Sequence, residues 1–163
     1  MSAAVLISQF GPAAATFVVA VVSAVVPFVY IEVYLLAAVA LVPGGYATWT
    51  LGVVAAVGQM VGKSALYWSA RGVTSSWVSS RSDHVPSDGL RHRMAAMNPL
   101  AVNGLTFASA FLGFPPFILV APAAGAAAIS FWPFMLAGFA GRVLRFTALV
   151  LAAAAVERLI GSG

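Results

Sequence analysis

Four ionisable side chains lie within or beside long apolar stretches of this chain, and they are the first candidates for chemistry. They are Glu32, Lys63, Arg142 and Arg145. A charged side chain at the centre of a membrane helix costs about 3 kcal/mol, so it usually faces a cavity or meets an opposite charge. We therefore predict an ion pair between Glu32 and either Arg142 or Arg145.

These residue types favour the binding of an anion and a proton over catalysis. The guanidinium of Arg142 or Arg145 offers two parallel hydrogen bonds to a phosphate. Glu32 would respond to protons while it shares that cation with the phosphate. Two plainer interpretations stay open: Glu32 and an arginine form only a structural pair, and Lys63 extends its ammonium group to the membrane surface.

The chain offers little for a metal, a cofactor or a catalytic centre. It has no cysteine and two histidines, and neither histidine has another ligand at a fixed spacing. Other catalytic residue types cluster in one loop that lacks a phosphate-binding glycine pattern: Asp83, His84, Asp88 and His92. We predict no metal, no cofactor and no enzymatic activity, and a lipid-processing membrane enzyme remains an alternative.

Composition predicts an all-α integral membrane protein. Of the 163 residues 62% are hydrophobic and 7% are charged, whereas ordinary soluble domains carry about 25% charged residues. The net charge is +4, and the basic residues lie beside apolar segments, which favours contact with anionic lipid headgroups over nucleic acid. No Lys or Arg precedes Leu6, so we expect the first apolar segment to be a retained span rather than a signal peptide.

Prolines and glycines divide the apolar sequence into short pieces. The pieces are residues 3–26, 28–42, 47–61, 99–114, 116–129 and 131–156, and a full helical span takes about 20 residues. The breaks at Pro27 and at Pro115-Pro116 predict two re-entrant helical hairpins with flanking transmembrane helices. Further breaks are expected at Pro43 and Pro122, and residues 131–160 would form one tilted span or two pieces.

Matching residue types in the two halves indicate an inverted repeat within a single membrane domain, residues 1–163. Repeat one covers about 20–72 and repeat two about 99–158. Three positions correspond in spacing and residue type: Gly62, Lys63 and Tyr67 of repeat one match Gly141, Arg142 and Phe146 of repeat two. Gly58 and Gly62, four residues apart, are typical of close helix packing.

The central loop, about 73–98, contains arginines and is predicted to be cytoplasmic. Within it, Leu90, Met94 and Met97 share one helical face, so this segment is either an interfacial helix or a solvated linker. Asn98-Pro99 is predicted to start the next helix. Tyr67 and Trp68 are expected among the aromatic residues at the membrane interface.

The chain resembles the DedA/VTT superfamily, and within it the short YqaA-like members. Three motifs carry the resemblance: Pro27 to Glu32; Gly58-x-x-x-Gly62 followed by Tyr67 to Gly72; and Pro115-Pro116 through Gly125 to Gly141-Arg142-x-x-Arg145-Phe146. The chain departs from the pattern at Lys63, where many members carry an acid.

The resemblance implies two re-entrant hairpins that enter from opposite faces and a role in moving lipids between leaflets. It also implies undecaprenyl phosphate or a phospholipid as cargo, dependence on the proton gradient, and location in a bacterial cytoplasmic membrane. Membrane lipids and protons are thus the expected partners, and self-association stays open. The alternative is a small structural or assembly protein of the membrane.

Overall fold

The computed structural model describes residues 11–26, 30–41, 48–73 and 88–161, and the regular structure in these ranges is helical throughout. The helices are α1 (Pro12–Val25), α2 (Ile31–Leu41), α3 (Thr48–Val73), α4 (Asp88–Ala96), α5 (Pro99–Leu112), α6 (Phe117–Ala126) and α7 (Phe131–Gly161). The prediction of an all-α protein is confirmed. The breaks predicted at Pro27 and Pro43 lie outside the described residues.

One stretch of α7, Phe131–Val156, is long and apolar enough to cross a membrane. Helices α1, α2, α5 and α6 are apolar but have only 10 to 14 residues each. The helices build two compact units, of which the first is Met1–Gln59 with Val143–Gly163 and the second is Met60–Arg142. Helices α3 and α7 each contribute one part to each unit.

In the first unit, α1 packs against α2. Helix α1 begins at Pro12, a residue suited to the first helical position because its ring presets φ and its missing N–H has no helical partner there. Thr16 Oγ1 lies 3.3 Å from Tyr34 Oη, so a hydrogen bond joins the two helices. The packing of α1 against α2 therefore positions Glu32, which lies on α2.

Close backbone approach and a buried hydrogen bond attach α3 to this pair. A Cβ on Gly58 would lie 2.8 Å from both Ala20 Cβ and the Phe17 carbonyl oxygen, so α1 and α3 touch because Gly58 has no side chain. One residue later, Gln59 Nε2 donates a 2.6 Å hydrogen bond to Ser23 Oγ. Both side chains are buried, and each satisfies a polar atom of the other.

In the second unit, α5 packs against α6. Asn98 caps α5, because its Oδ1 accepts a 2.7 Å hydrogen bond from the Ala101 amide, and Pro99 is the first helical residue. The predicted helix start is therefore confirmed. Helix α5 ends at Leu112, and the next residue, Gly113, has a φ of 84°, a left-handed conformation that glycine adopts without strain.

The connection between α5 and α6 contains the two consecutive prolines. The Phe114–Pro115 peptide bond is cis. Ser109 Oγ donates a 2.5 Å hydrogen bond to the Pro115 carbonyl, which ties the connection back to α5. Helix α6 follows Pro116 directly and begins at Phe117.

One expectation about helix boundaries is corrected, and one open alternative is decided. Pro122 does not break the chain but lies inside α6, where a proline removes one backbone hydrogen bond and neighbouring helices can compensate. Of the two alternatives for residues 131–160, the structure has the single continuous helix, α7, and Pro133 lies in its first turn.

The segment 88–97 is not a solvated linker. It forms α4, which packs against α6, and Met94 is fully buried in the core of the second unit. Leu90 and Met97 are partly buried against the same core. The predicted helical face thus exists, and it is covered at least in part by protein.

We expect Gly125→Ala to destabilise the protein by about 1–3 kcal/mol, the usual cost of overpacking. A Cβ at this position of α6 would collide with the backbone carbonyl oxygen of Tyr67, which cannot rotate away. Gly104→Ala is the matched control, because a Cβ on that α5 glycine meets nothing within 4 Å and alanine favours helix. Thermal unfolding in detergent measures both, and equal midpoints would contradict the close packing of α6 on α3.

Candidate functional site

An ion pair joins two distant segments of the first unit. Arg145 Nη2 donates a 3.1 Å hydrogen bond to Glu32 Oε1. The contact predicted from the sequence is therefore present, and of the two candidate arginines the partner is Arg145. The side chains are 30% and 29% exposed respectively, so the pair lies partly in the protein and partly open.

The position of Glu32 follows from the start of α2. The carboxylate lies in the first turn of that helix, where the unpaired amides and the helix dipole favour a negative charge. Its neighbours Ile31 and Leu35 are buried, whereas Val33 and Leu36 are exposed. Glu32 thus lies beside an apolar outer face, which in a membrane protein is a face for lipid.

This arrangement can exchange both a proton and an anion. The carboxylate of Glu32 binds a proton or accepts hydrogen bonds, and the guanidinium of Arg145 carries five N–H donors in a planar fork. A phosphate oxygen can replace the carboxylate on the same fork with similar geometry. Partial exposure of both side chains gives a ligand or water access to the pair.

Lys63 and Arg142 both lie buried in the second unit. Lys63 is 3% exposed and Arg142 is 9% exposed. The guanidinium carbon of Arg142 lies 5.1 Å from the centre of the Phe117 ring, in cation–π range. Because Lys63 is buried, the interpretation that its ammonium group extends to the membrane surface is wrong.

Tyr67 is a core residue rather than an interfacial one. Its side chain is fully buried, and its ring stacks on Phe134 with centroids 5.4 Å apart. The prediction that Tyr67 lies at the membrane interface is wrong, because the first part of α7 covers its ring. The next residue, Trp68, is 52% exposed. Phe146, the aromatic residue at the corresponding position of repeat two, is fully buried as well.

The sequence did not predict a set of hydrogen bonds that joins Tyr67 and Arg71 to the Ile129 carbonyl. The Tyr67 hydroxyl donates to the Ile129 carbonyl and accepts from Arg71, which itself donates a 3.0 Å hydrogen bond to the same carbonyl. Ile129 follows the end of α6, where a cation is favourable. The spacing of four between Tyr67 and Arg71 is the signal that could have indicated the junction.

The family model for the VTT domain matches residues 26–155. The chain belongs to the DedA/VTT family. Its members are membrane-associated proteins, often transporters, and are generally regarded as non-enzymatic. No match was found among curated proteins or among solved structures.

The matched range contains every predicted site residue of this VTT-domain protein. Gly141 allows α7 to approach α5, since a Cβ there would lie 2.7 Å from the Phe107 carbonyl oxygen. Gly62 is buried in α3. Pro115 and Pro116 form the connection before α6, as described above. Pro27 lies in a part of the chain for which no placement is described.

The structure therefore separates the predicted charged residues into two groups. Glu32 and Arg145 form the ion pair of the first unit, whereas Lys63 and Arg142 are buried residues of the second. Among the described residues, no group of three or more metal-ligating side chains comes together.

We expect a double-mutant cycle to show coupling between Glu32 and Arg145. Glu32→Gln and Arg145→Gln should each destabilise the protein, and the double variant should be more stable than the sum predicts by about 0.5–1.5 kcal/mol, a range scaled down for partial exposure. Unfolding by sodium dodecyl sulfate measures the three variants. Additive losses would show that the pair contributes nothing to stability.

Proposed function

We propose that this VTT-domain protein moves a lipid with a phosphate headgroup between the leaflets of the membrane and couples that movement to protons. The observation that carries the proposal is the partly open ion pair between Glu32 and Arg145 in a unit of apolar helices. A pair open on one side can exchange its partners.

The mechanism is a competition for one guanidinium. With Glu32 ionised, its carboxylate occupies Arg145. When Glu32 takes up a proton, that attraction is lost and Arg145 becomes available to a phosphate oxygen of the headgroup. Loss of the proton on the other side restores the ion pair and releases the phosphate. One proton thus accompanies each exchange of the anion.

The short helices support re-entrant hairpins as part of this proposal. Helices α1 and α2 have 14 and 11 residues, and α5 and α6 have 14 and 10. At 1.5 Å per residue these helices are roughly 15–21 Å long, against a hydrocarbon core of about 30 Å. Each pair packs on itself, as a hairpin that enters and leaves by one face would.

The proposal includes the finer features that the family resemblance implies. The two hairpins belong to inverted repeats and enter from opposite faces, and the arginine-containing loop between them is cytoplasmic. The cargo is a phospholipid or a polyprenyl phosphate such as undecaprenyl phosphate, and the membrane is a bacterial cytoplasmic membrane. Broken helices of this kind place polar groups at the depth that a headgroup must cross.

The test is lipid movement in proteoliposomes across a series of pH values. Labelled phospholipid in the inner leaflet is protected from dithionite, so loss of protection reports movement. We expect wild type to move lipid at a rate that depends on pH. Glu32→Gln should lower the rate by about tenfold, the effect of one charge-assisted hydrogen bond, and should leave the residual rate independent of pH.

Glu157→Gln provides the matched control, because Glu157 is the other glutamate of the chain. This variant should behave as wild type. An unchanged pH dependence in Glu32→Gln would refute proton coupling through Glu32. Absence of lipid movement in wild type would refute transport and favour a structural or assembly role in the membrane.

A further inference from the structure

A half-enclosed cavity of about 240 Å³ lies within the second unit. It forms where the connection from α4 to α5 meets the connection from α6 to α7, and its apolar walls include Met97, Pro99, Val102, Ile129 and Pro133. Drug-sized ligands occupy cavities of about 300–1,000 Å³, so this one has room for a small molecule or for the head of a larger one. None of its lining residues belongs to the ion pair of the proposed mechanism.

Short-range contacts fix the walls of this cavity. The amides of Ala128 and Ile129 each donate a 3.0 Å hydrogen bond to a carbonyl in the last turn of α6. The Ile129 carbonyl in turn accepts a 3.0 Å hydrogen bond from Arg71 on α3. Pro99 and Pro133 add rings whose φ is fixed. The walls are therefore formed before a ligand arrives, which lowers the entropy lost on binding.

The polar groups of the cavity are uncharged. Asn103 and Ser130 contribute an amide and a hydroxyl, and no described residue with a charged side chain lines the cavity. Neither of these two side chains hydrogen-bonds to another described residue, so both are available to a ligand. Each can donate and accept a hydrogen bond. A charged ligand would lose hydration here without meeting an opposite charge, which is unfavourable.

The helix starts beside the cavity lie at a surface that suits lipid. Leu100, which follows Pro99, is 82% exposed, and Trp132, which precedes Pro133, is 73% exposed. In a membrane protein an exposed tryptophan is typical of the interface, where lipid heads meet acyl chains. The cavity is therefore near the level at which the head of an amphiphile lies.

We propose that this cavity binds the head of an uncharged amphiphile that carries hydroxyl groups, such as a monoacylglycerol. A hydroxyl donates and accepts, so it matches both the Asn103 amide and the Ser130 hydroxyl. The apolar walls take the carbon atoms of the head, and the chain leaves through the open side. This ligand is not the cargo proposed above, which carries a charged phosphate, and the inference does not depend on that transport.

The test is a titration of the full-length chain in bilayer discs of phosphatidylcholine, with carbon-13 in the methionine methyl groups. The Met97 side chain lines the cavity, whereas Met60 packs against Gly138 and serves as the internal reference. The probes are monodecanoylglycerol, decyl sulfate and decyltrimethylammonium, which have chains of equal length and differ in charge. We expect monodecanoylglycerol to shift the Met97 signal saturably, and to bind about tenfold more tightly than either charged probe at equal mole fraction in the bilayer.

Three variants test which side chains recognise the head. Asn103→Leu keeps the size of the side chain and removes its amide, and Ser130→Ala removes the hydroxyl. Each should weaken the binding of monodecanoylglycerol by roughly three- to tenfold, the effect of one neutral hydrogen bond. Asn103→Phe fills the cavity and should abolish the shift of Met97.

Ser69→Ala is the matched control, because it removes an exposed hydroxyl of α3 in the same unit that does not line the cavity. This variant should bind as wild type does. The three probes on wild type decide the matter even where an Asn103 variant fails to fold. The proposal is overturned by a Met97 signal that does not saturate, by equal affinities for the charged and uncharged probes, or by unchanged affinity in both Asn103→Leu and Ser130→Ala.

Discussion

The ion pair between Glu32 and Arg145 is the interaction on which the proposed function of this protein depends. Removing one member of a buried pair costs about 3–5 kcal/mol because the other charge loses its compensation, and partial exposure reduces that cost here. The pair fixes the start of α2 against α7 across 113 residues of sequence. The same partial exposure that limits its contribution to stability is what the proposed mechanism uses to exchange a proton and an anion.

Close backbone contacts hold the remaining helices together. In lipid there is no hydrophobic force between apolar helices, so small residues and polar side chains supply the specificity of packing. Gly58 brings α3 against α1, Gly125 brings α6 against α3, and Gly141 brings α7 against α5. The buried hydrogen bond between Gln59 and Ser23 adds direction to one of these contacts. These contacts keep the charged groups of each unit at fixed positions.

Local chemistry made part of this structure predictable. The cap at Asn98 follows from neighbouring residues, and a lone acid in an apolar chain requires a cation. The sequence could not choose between the candidate arginines, because both lie on one helix three residues apart. The sequence also predicted Tyr67 at the interface and a break at Pro122, and both predictions were wrong. Burial of Tyr67 by another helix and compensation for the hydrogen bond missing at Pro122 are properties of the packed protein. The inverted repeat stays a prediction.

The contact that matters most for this protein is the one between the Glu32 carboxylate of α2 and the Arg145 guanidinium of α7 while the protein is in a membrane. Solid-state nuclear magnetic resonance of the protein in lipid bilayers, with labelled glutamate carbon and arginine nitrogen, measures this directly. We expect a dipolar coupling between the Glu32 carboxyl carbon and the Arg145 guanidinium nitrogens that disappears in Glu32→Gln at matched labelling. A wild-type spectrum without that coupling would contradict the ion pair and the mechanism that depends on it.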